Sequence, residues 1–222
     1  MKNINMYILL LLCSIGWNQN YSLNFNGEEE VQLNDLGGFN DFIINTTFLS
    51  NNNIEGTQTI FSINPGVDCE PLISLYLNTN GSLQGQIRDS GDCGARVVSS
   101  DTIISNDNVY HDVSLSYIDN NFELWIDGEL ADSIEDVDIE YILPNVIARI
   151  GSMPYPNTAG NPDFKGFYGR INKLEIIKDN QLIANYAFDA DSGSILYDNS
   201  GNANHGTIYG AYWLEEIYGC ID

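Results

Sequence analysis

Tyr110-His-Asp-Val-Ser-Leu-Ser-Tyr-Ile-Asp-Asn-Asn-Phe-Glu-Leu-Trp-Ile-Asp-Gly128 decides the fold, because two alternating runs flank an Asp-Asn-Asn turn and specify an antiparallel hairpin. Val113, Leu115 and Tyr117 recur at every second residue on the first arm, and Phe122, Leu124 and Ile126 on the second, so one hairpin face is apolar and must be a core face. His111, Ser114, Ser116, Glu123 and Trp125 are expected on the opposite side or its edge, and Asp127-Gly128 supplies the turn into a strand beginning near Glu129. Trp125 is a large aromatic out of phase with the core stripe.

Similar runs surround this hairpin. Tyr21 to Gly27, Val31 to Leu33, Phe42 to Phe48, Thr59 to Ile63, Leu72 to Leu77, Leu83 to Arg88 and Val146 to Ile150 are β-rich, and Asn51-Asn52-Asn53, Asn80-Gly81 and Ser90-Gly91-Asp92 punctuate them. Turn signals recur at about ten-residue intervals with no helical period after the leader, the pattern of an all-β sandwich. The 222 residues carry a formal charge of −23 and 18% charged residues, the balance of a soluble acidic globule. A chain of this size buries roughly 70% of its unfolded surface, enough for a two-sheet core without metal. Eight Lys and Arg, in no run, exclude a phosphate-neutralising partner such as nucleic acid.

Met1-Lys2-Asn3 places one positive charge before the apolar run Met6 to Cys13, too short to span a bilayer and suited to a signal peptide over residues 1–20. Export to a secreted or cell-surface location, with no membrane insertion of the mature domain, is therefore expected. Leu10-Leu11-Leu12 lacks the small residue that lipidation of Cys13 needs immediately before it.

The hairpin, with Tyr110-His111 where Trp-His often stands, resembles that of the laminin-G-like, concanavalin A-like lectin/glucanase superfamily. Tyr21-Ser-Leu-Asn-Phe-Asn-Gly27 resembles the opening strand of that family, and Phe164-Lys-Gly-Phe-Tyr-Gly-Arg-Ile-Asn-Lys-Leu-Glu-Ile-Ile177 resembles a later one. Asn172-Lys173 departs from the Asp-Glu usual there, so no metal role carried by that pair transfers. The most specific match is Leu196-Tyr-Asp-Asn-Ser-Gly-Asn-Ala-Asn-His-Gly-Thr-Ile208 with Gly210-Ala-Tyr-Trp213. In many relatives this motif opens a domain. Here it comes last, so it either closes the sandwich by permutation, which removes an exposed edge, or begins a second copy. The resemblance implies a concanavalin A-like jelly-roll sandwich of two antiparallel sheets over residues 21–214. Residues 215–222 read as a linker or the start of a following module, because Tyr218-Gly-Cys220-Ile-Asp222 is similar to the start of Cys- and Asp-rich modules in large secreted bacterial proteins. Downstream domains of the same polypeptide are expected on that ground.

Cys69 and Cys93 lie 24 positions apart in turn-like contexts of an exported chain, and a disulfide between them is expected. The alternative, free thiols or a metal pair, has no neighbouring His or Cys to complete a zinc site.

Glu135-Asp-Val-Asp-Ile-Glu140 would project Asp136, Asp138 and Glu140 from one face if extended, about 6.5 to 7 Å apart in sequence order. Laminarinase-type glucanases of the superfamily carry a Glu-x-Asp-x-Glu-like run whose two Glu are nucleophile and acid/base. The first position here is Asp136, and 31 acids make such a run common by chance, so a solvated acidic loop is the plainer expectation. There is no glycine-rich phosphate loop, no zinc spacing, and only two histidines.

Asp198, Asn199, Asn202 and Asn204 offer hard oxygen ligands in a tight loop, a set Ca2+ accepts with backbone carbonyls. The competing expectation is an Asx-turn network in which the same side chains cap their own backbone, with His205 as a tether. Three functions fit: a non-catalytic carbohydrate-binding or adhesion module, a laminarinase-type glycoside hydrolase, and a purely structural surface domain. The first is preferred, with a glycan or cell-surface polysaccharide as partner. Trp125 and Tyr155, the latter in the loop Met153 to Pro162, are the expected stacking platforms, and Glu123 and Asn157 the hydroxyl partners.

Overall fold

The computed structural model describes residues 20–51, 56–67, 69–89, 93–104, 107–139, 146–153 and 164–216. Tyr155, Asn157, Glu140, Cys220 and the leader lie outside these residues. The first seven strands are β1 (Asn20–Asn26), β2 (Glu30–Asp35), β3 (Phe42–Ser50), β4 (Thr57–Ile63), β5 (Leu72–Leu77), β6 (Ser82–Arg88) and β7 (Arg96–Ile103). The central hairpin is β8 (His111–Ile118) and β9 (Asn121–Ile126), followed by β10 (Glu129–Ile134). Then come β11 (Ile147–Ile150), β12 (Phe164–Gly166), β13 (Tyr168–Lys178), β14 (Gln181–Tyr186), β15 (Ile195–Leu196), β16 (Gly206–Tyr209) and β17 (Tyr212–Glu216). No helix occurs among the described residues.

Asp119 and Asn120 take φ of 48° and 64°, and Asp127 and Gly128 take 52° and 81°, so both turns of the β8–β9–β10 meander have two left-handed central residues. Such turns match the right-handed twist of the strands they join, which explains why Asp and Asn recur there. Asp179 and Asn180 (φ 48° and 61°) repeat the device between β13 and β14.

The first sheet runs β10-β9-β8-β3-β13-β1-β17, with β14 also on β13. The first half of β13 pairs with β1 and its second half with β14, so these two lie end to end along one side of β13, with β3 on the other. The second sheet runs β15-β16-β2-β11-β4-β5-β6-β7, with β12 joined in parallel to β4. Residues 181–216 contribute β14 and β17 to one sheet and β15 and β16 to the other, so they complete this sandwich and do not begin another.

The inward stripe of the hairpin packs as its period requires. Val113, Leu115, Tyr117, Phe122 and Leu124 are buried and join a core with Phe25, Phe42, Phe48, Phe61 and Phe167. Phe48 meets Phe167 edge-on at 5.8 Å. Each such side chain contributes about 1.5–3 kcal/mol by leaving water. Across the sheets, a Cβ built on Gly85 of β6 would lie 2.2 Å from Leu115 Cδ1 of β8, so this strand position requires the absence of a side chain.

Two expectations need correction. The run Phe164 to Ile177 is not one strand: it breaks at buried Phe167, where the chain crosses from the second sheet to the first. Gly166 permits the crossing, since a Cβ there would meet the Gly27 carbonyl oxygen at 2.4 Å. His111 is buried at the margin of the core face rather than on the polar one, because it shares the parity of Val113.

Two cross-links hold the ends. Cys69, between β4 and β5, is bonded to Cys93, between β6 and β7. At the other end β17 pairs with β1, Asn20 opposite Glu216. The Glu216 carboxylate accepts hydrogen bonds from Ser22 Oγ at 2.6 Å and from the Tyr110 hydroxyl, and pairs with Arg170 at 3.4 Å. Burial, reinforced by the hydrogen bond to this carboxylate, raises the Tyr110 pKa well above its ordinary value.

Candidate functional site

The outer faces of the two sheets differ. In the second sheet β4 and β5 are buried at every position, so both of their faces are covered. In the first sheet most outward residues of β3, β8 and β9 keep some exposure, although Ser116 is buried. Strand alternation sends Asn45 and Thr47 of β3, Asp112, Ser114 and Ser116 of β8, Trp125 of β9 and Lys173 of β13 to one side. They line an open trough of about 510 Å³.

Cross-strand pairing orders this surface into rows. Trp125 stands opposite Ser114, which stands opposite Asn45, while Lys173, Thr47 and Asp112 form the adjoining row. Trp125 Nε1 donates to Glu123 Oε2 at 2.8 Å, so the indole is held by its polar edge and its apolar face is left for contact. Thr47 Oγ1 donates to Asp112 Oδ1 at 2.5 Å, and Lys173 Nζ lies 3.3 Å from Glu175 Oε2. The Asp112 amide donates to Asp127 Oδ1 at 2.9 Å, tying the trough to the β9–β10 turn.

A second trough of about 330 Å³ adjoins the first and shares Thr47 and Lys173 with it. Its remaining walls are Tyr21 of β1, Asn172 of β13, Asn185 of β14, and Ala187 and Asp189 beyond β14. It forms where β1 and β14 meet end to end along β13.

The structure therefore brings Trp125 and Glu123 together on the polar face, whereas Tyr155 and Asn157 lie outside the described residues. Asn45, Thr47, Asp112 and Lys173 were not singled out from the sequence as site residues. The two-residue period of Phe42 to Phe48 and His111 to Ile118 carried the signal, because it sets the outward positions as firmly as the inward ones.

The acidic run forms no carboxylate ladder. β10 ends at Ile134, Asp136 takes φ 57°, and Asp136 and Asp138 are exposed on a loop, so the extended geometry expected of an acid/base pair is absent at these two positions. The loop is anchored by Val137, whose amide donates to the Asn120 carbonyl and whose carbonyl accepts from Tyr117 Oη, both at 2.8 Å.

Around Asp198 the structure contains an Asx network. Oδ1 accepts from the Asn185 and Ser200 amides at 2.8 Å, and Oδ2 accepts from Ser200 Oγ at 2.8 Å and the Asn204 amide at 3.0 Å. Burial alone would raise the Asp198 pKa, but these hydrogen bonds outweigh it and hold the carboxyl below its ordinary value. Asn202 and Asn204 donate their side-chain amides to the Leu182 and Ile183 carbonyls at 3.0 and 2.7 Å, and the Asn199 amide donates to the Asn185 carbonyl at 2.8 Å. His205 Nδ1 accepts from the Asp198 amide at 3.0 Å. Among the described residues no three His, Cys, Asp or Glu side chains converge as a metal cluster.

No protein-family model matches the sequence, and no curated protein matches it either. Solved structures do match the fold. A candidate carbohydrate-binding protein of Bacteroides ovatus superposes with a TM-score of 0.66 at 14% identity, over 89% of this chain and 60% of that one. A heptameric SAP-like pentraxin of Limulus polyphemus gives 0.54 at 14% identity, over 72% and 76%. The CBM40 module of the Ruminococcus gnavus IT-sialidase, solved with α2,3-sialyllactose, gives 0.55 at 14% identity, over 71% and 90%. The fold is the concanavalin A-like jelly roll.

Proposed function

We propose that the domain is a non-catalytic glycan-binding module of an extracellular protein, with its site in the trough at Trp125. The observation that carries this reading is an indole fixed by Glu123 on an open surface where Ile43, Val113 and Ile118 alternate with Asn, Ser, Thr, Asp and Lys side chains. A sugar ring presents C–H groups that pack on an aromatic face and hydroxyls that need amide, hydroxyl and carboxylate partners, and both kinds of surface lie side by side here. The Ruminococcus gnavus module, a jelly roll solved with a sialylated sugar, supports glycan binding as a use of this architecture.

Two further points support the reading. Asp136 and Asp138 line neither trough, and hydrolysis needs a carboxyl pair flanking the bound sugar. The Cys69–Cys93 bond suits an oxidising, extracellular setting.

The test is a broad glycan array with polysaccharide pull-downs, followed by titration of the best ligand against Trp125→Ala. Loss of at least tenfold in affinity is expected, since truncating a central aromatic anchor costs about 2 kcal/mol. An unchanged affinity would place the site elsewhere, and silence across array and pull-downs would remove the binding function.

A further inference from the structure

We infer that the two troughs act as one site, and that it takes a stretch of about four units of an uncharged hexose polymer rather than a polyanion. The inference rests on the glycan-binding reading and adds the length and charge of the ligand.

Length follows from the sheet. Thr47 and Lys173 border both troughs, so the two lie side by side on one sheet face and a chain laid across these two side chains would enter both. From Trp125 on β9 the surface crosses β8, β3 and β13 to reach Asn185 on β14. These are four strand steps of about 4.8 Å each, about 19 Å in all and room for about four hexose units. Trp125 marks one end of this path and Tyr21 the other, so each end carries an aromatic ring on which a sugar can stack.

Charge follows from the same residues. Asp112, Glu123, Glu175 and Asp189 face or border the path, against the single ammonium of Lys173, which is already paired with Glu175. A polymer with a carboxylate or sulfate on each unit would bring like charge against this face, on a chain of formal charge −23. Uncharged hydroxyls avoid that repulsion and find in Asp112, Asn45 and Asn185 the acceptors and amides they need.

Calorimetric titration with laminari- and cello-oligosaccharides of two to six units, and with alginate and carrageenan, tests this directly. Affinity is expected to rise at least 30-fold from two units to four and then level off, with alginate and carrageenan bound at least 10-fold more weakly than the uncharged polymer. Tyr21→Ala should weaken the four-unit ligand about tenfold. Equal affinity for two and six units, or preference for alginate or carrageenan, overturns this inference while the module still binds glycans. Silence across these probes and the array overturns both.

Discussion

His111 Nδ1 lies 2.8 Å from Asp127 Oδ2, and the opposite ring nitrogen, Nε2, lies 2.8 Å from Asp107 Oδ2. A neutral imidazole has one donor only, whereas the imidazolium donates to both carboxylates, so this geometry favours the charged form. Burial alone would lower the His111 pKa, but the bonds to Asp127 and Asp107 outweigh it and raise the value above 6.5. Burial likewise opposes ionisation of Asp107, yet hydrogen bonds from Val109 and His111 bring its pKa below 3.8. The raised histidine contributes stability that is complete below 6.5 and lost as pH rises through the folded value. The lowered aspartate contributes stability that is complete above 3.8 and lost as pH falls through its folded value. The cluster is thus most effective between those limits. Urea melts of wild type and His111→Gln should differ by about 1–2 kcal/mol at pH 5 to 6 and converge in alkali. A constant difference across that range would refute the charged cluster.

Leu115 packs across the sheets into the space that the missing side chain of Gly85 leaves. Leu115→Ala removes a fully buried side chain and should cost about 2–5 kcal/mol in chemical denaturation. Gly85→Val should also destabilise, by about 1–3 kcal/mol, because the added methyls enter space that Leu115 already fills. Combining Gly85→Ala with Leu115→Ala should cost less than the sum, since each change makes room for the other.

Reduction of the Cys69–Cys93 bond reopens a loop of sequence separation 24 in the unfolded chain. The chain-entropy account gives about 3 kcal/mol for a loop of this size, seen as a lower denaturation midpoint in reductant. Alkylation of both cysteines without prior reduction would show that the bond does not form.

Asp198 accepts four hydrogen bonds from its own loop and from β14, so Asp198→Ala should cost about 2–4 kcal/mol by leaving those donors without a partner. A calcium ion would have to displace these donors. Melting in EDTA is therefore expected to match melting in calcium, and a calcium-dependent rise in midpoint would establish the metal site.

The hairpin was readable because its turn chemistry and its alternation agree at every position from Val113 to Ile126. The same parity placed Trp125 on the outer face. Lys173 was not readable as a wall of the trough at Trp125, nor Tyr21 and Asp189 as walls of the adjoining one, because they come from segments far apart in sequence, and no local pattern records which strand pairs with which. The break at Phe167 escaped for a related reason: Gly166 and Phe167 continue an extended chain, and only the close approach to Gly27 shows that the sheet has changed. Complete burial of β4 and β5 was equally invisible, since polar Gln58, Ser62 and Ser74 read as surface positions yet are wholly covered.

Because Asn20 and Glu216 stand opposite each other at one end of the β1–β17 pair, tension applied between these residues would open the pair like a zipper. The rungs would then bear load one after another instead of sharing it as they do in shear, the mechanically weak way to pull an antiparallel pair. The Glu216 cluster sits at the first rung to be loaded, where it is bound to Ser22 of β1 and, from outside the pair, to Tyr110 and Arg170. Unravelling from this end therefore begins by breaking the contacts of one carboxylate, which makes Glu216 the clasp that must open before the rungs behind it are loaded.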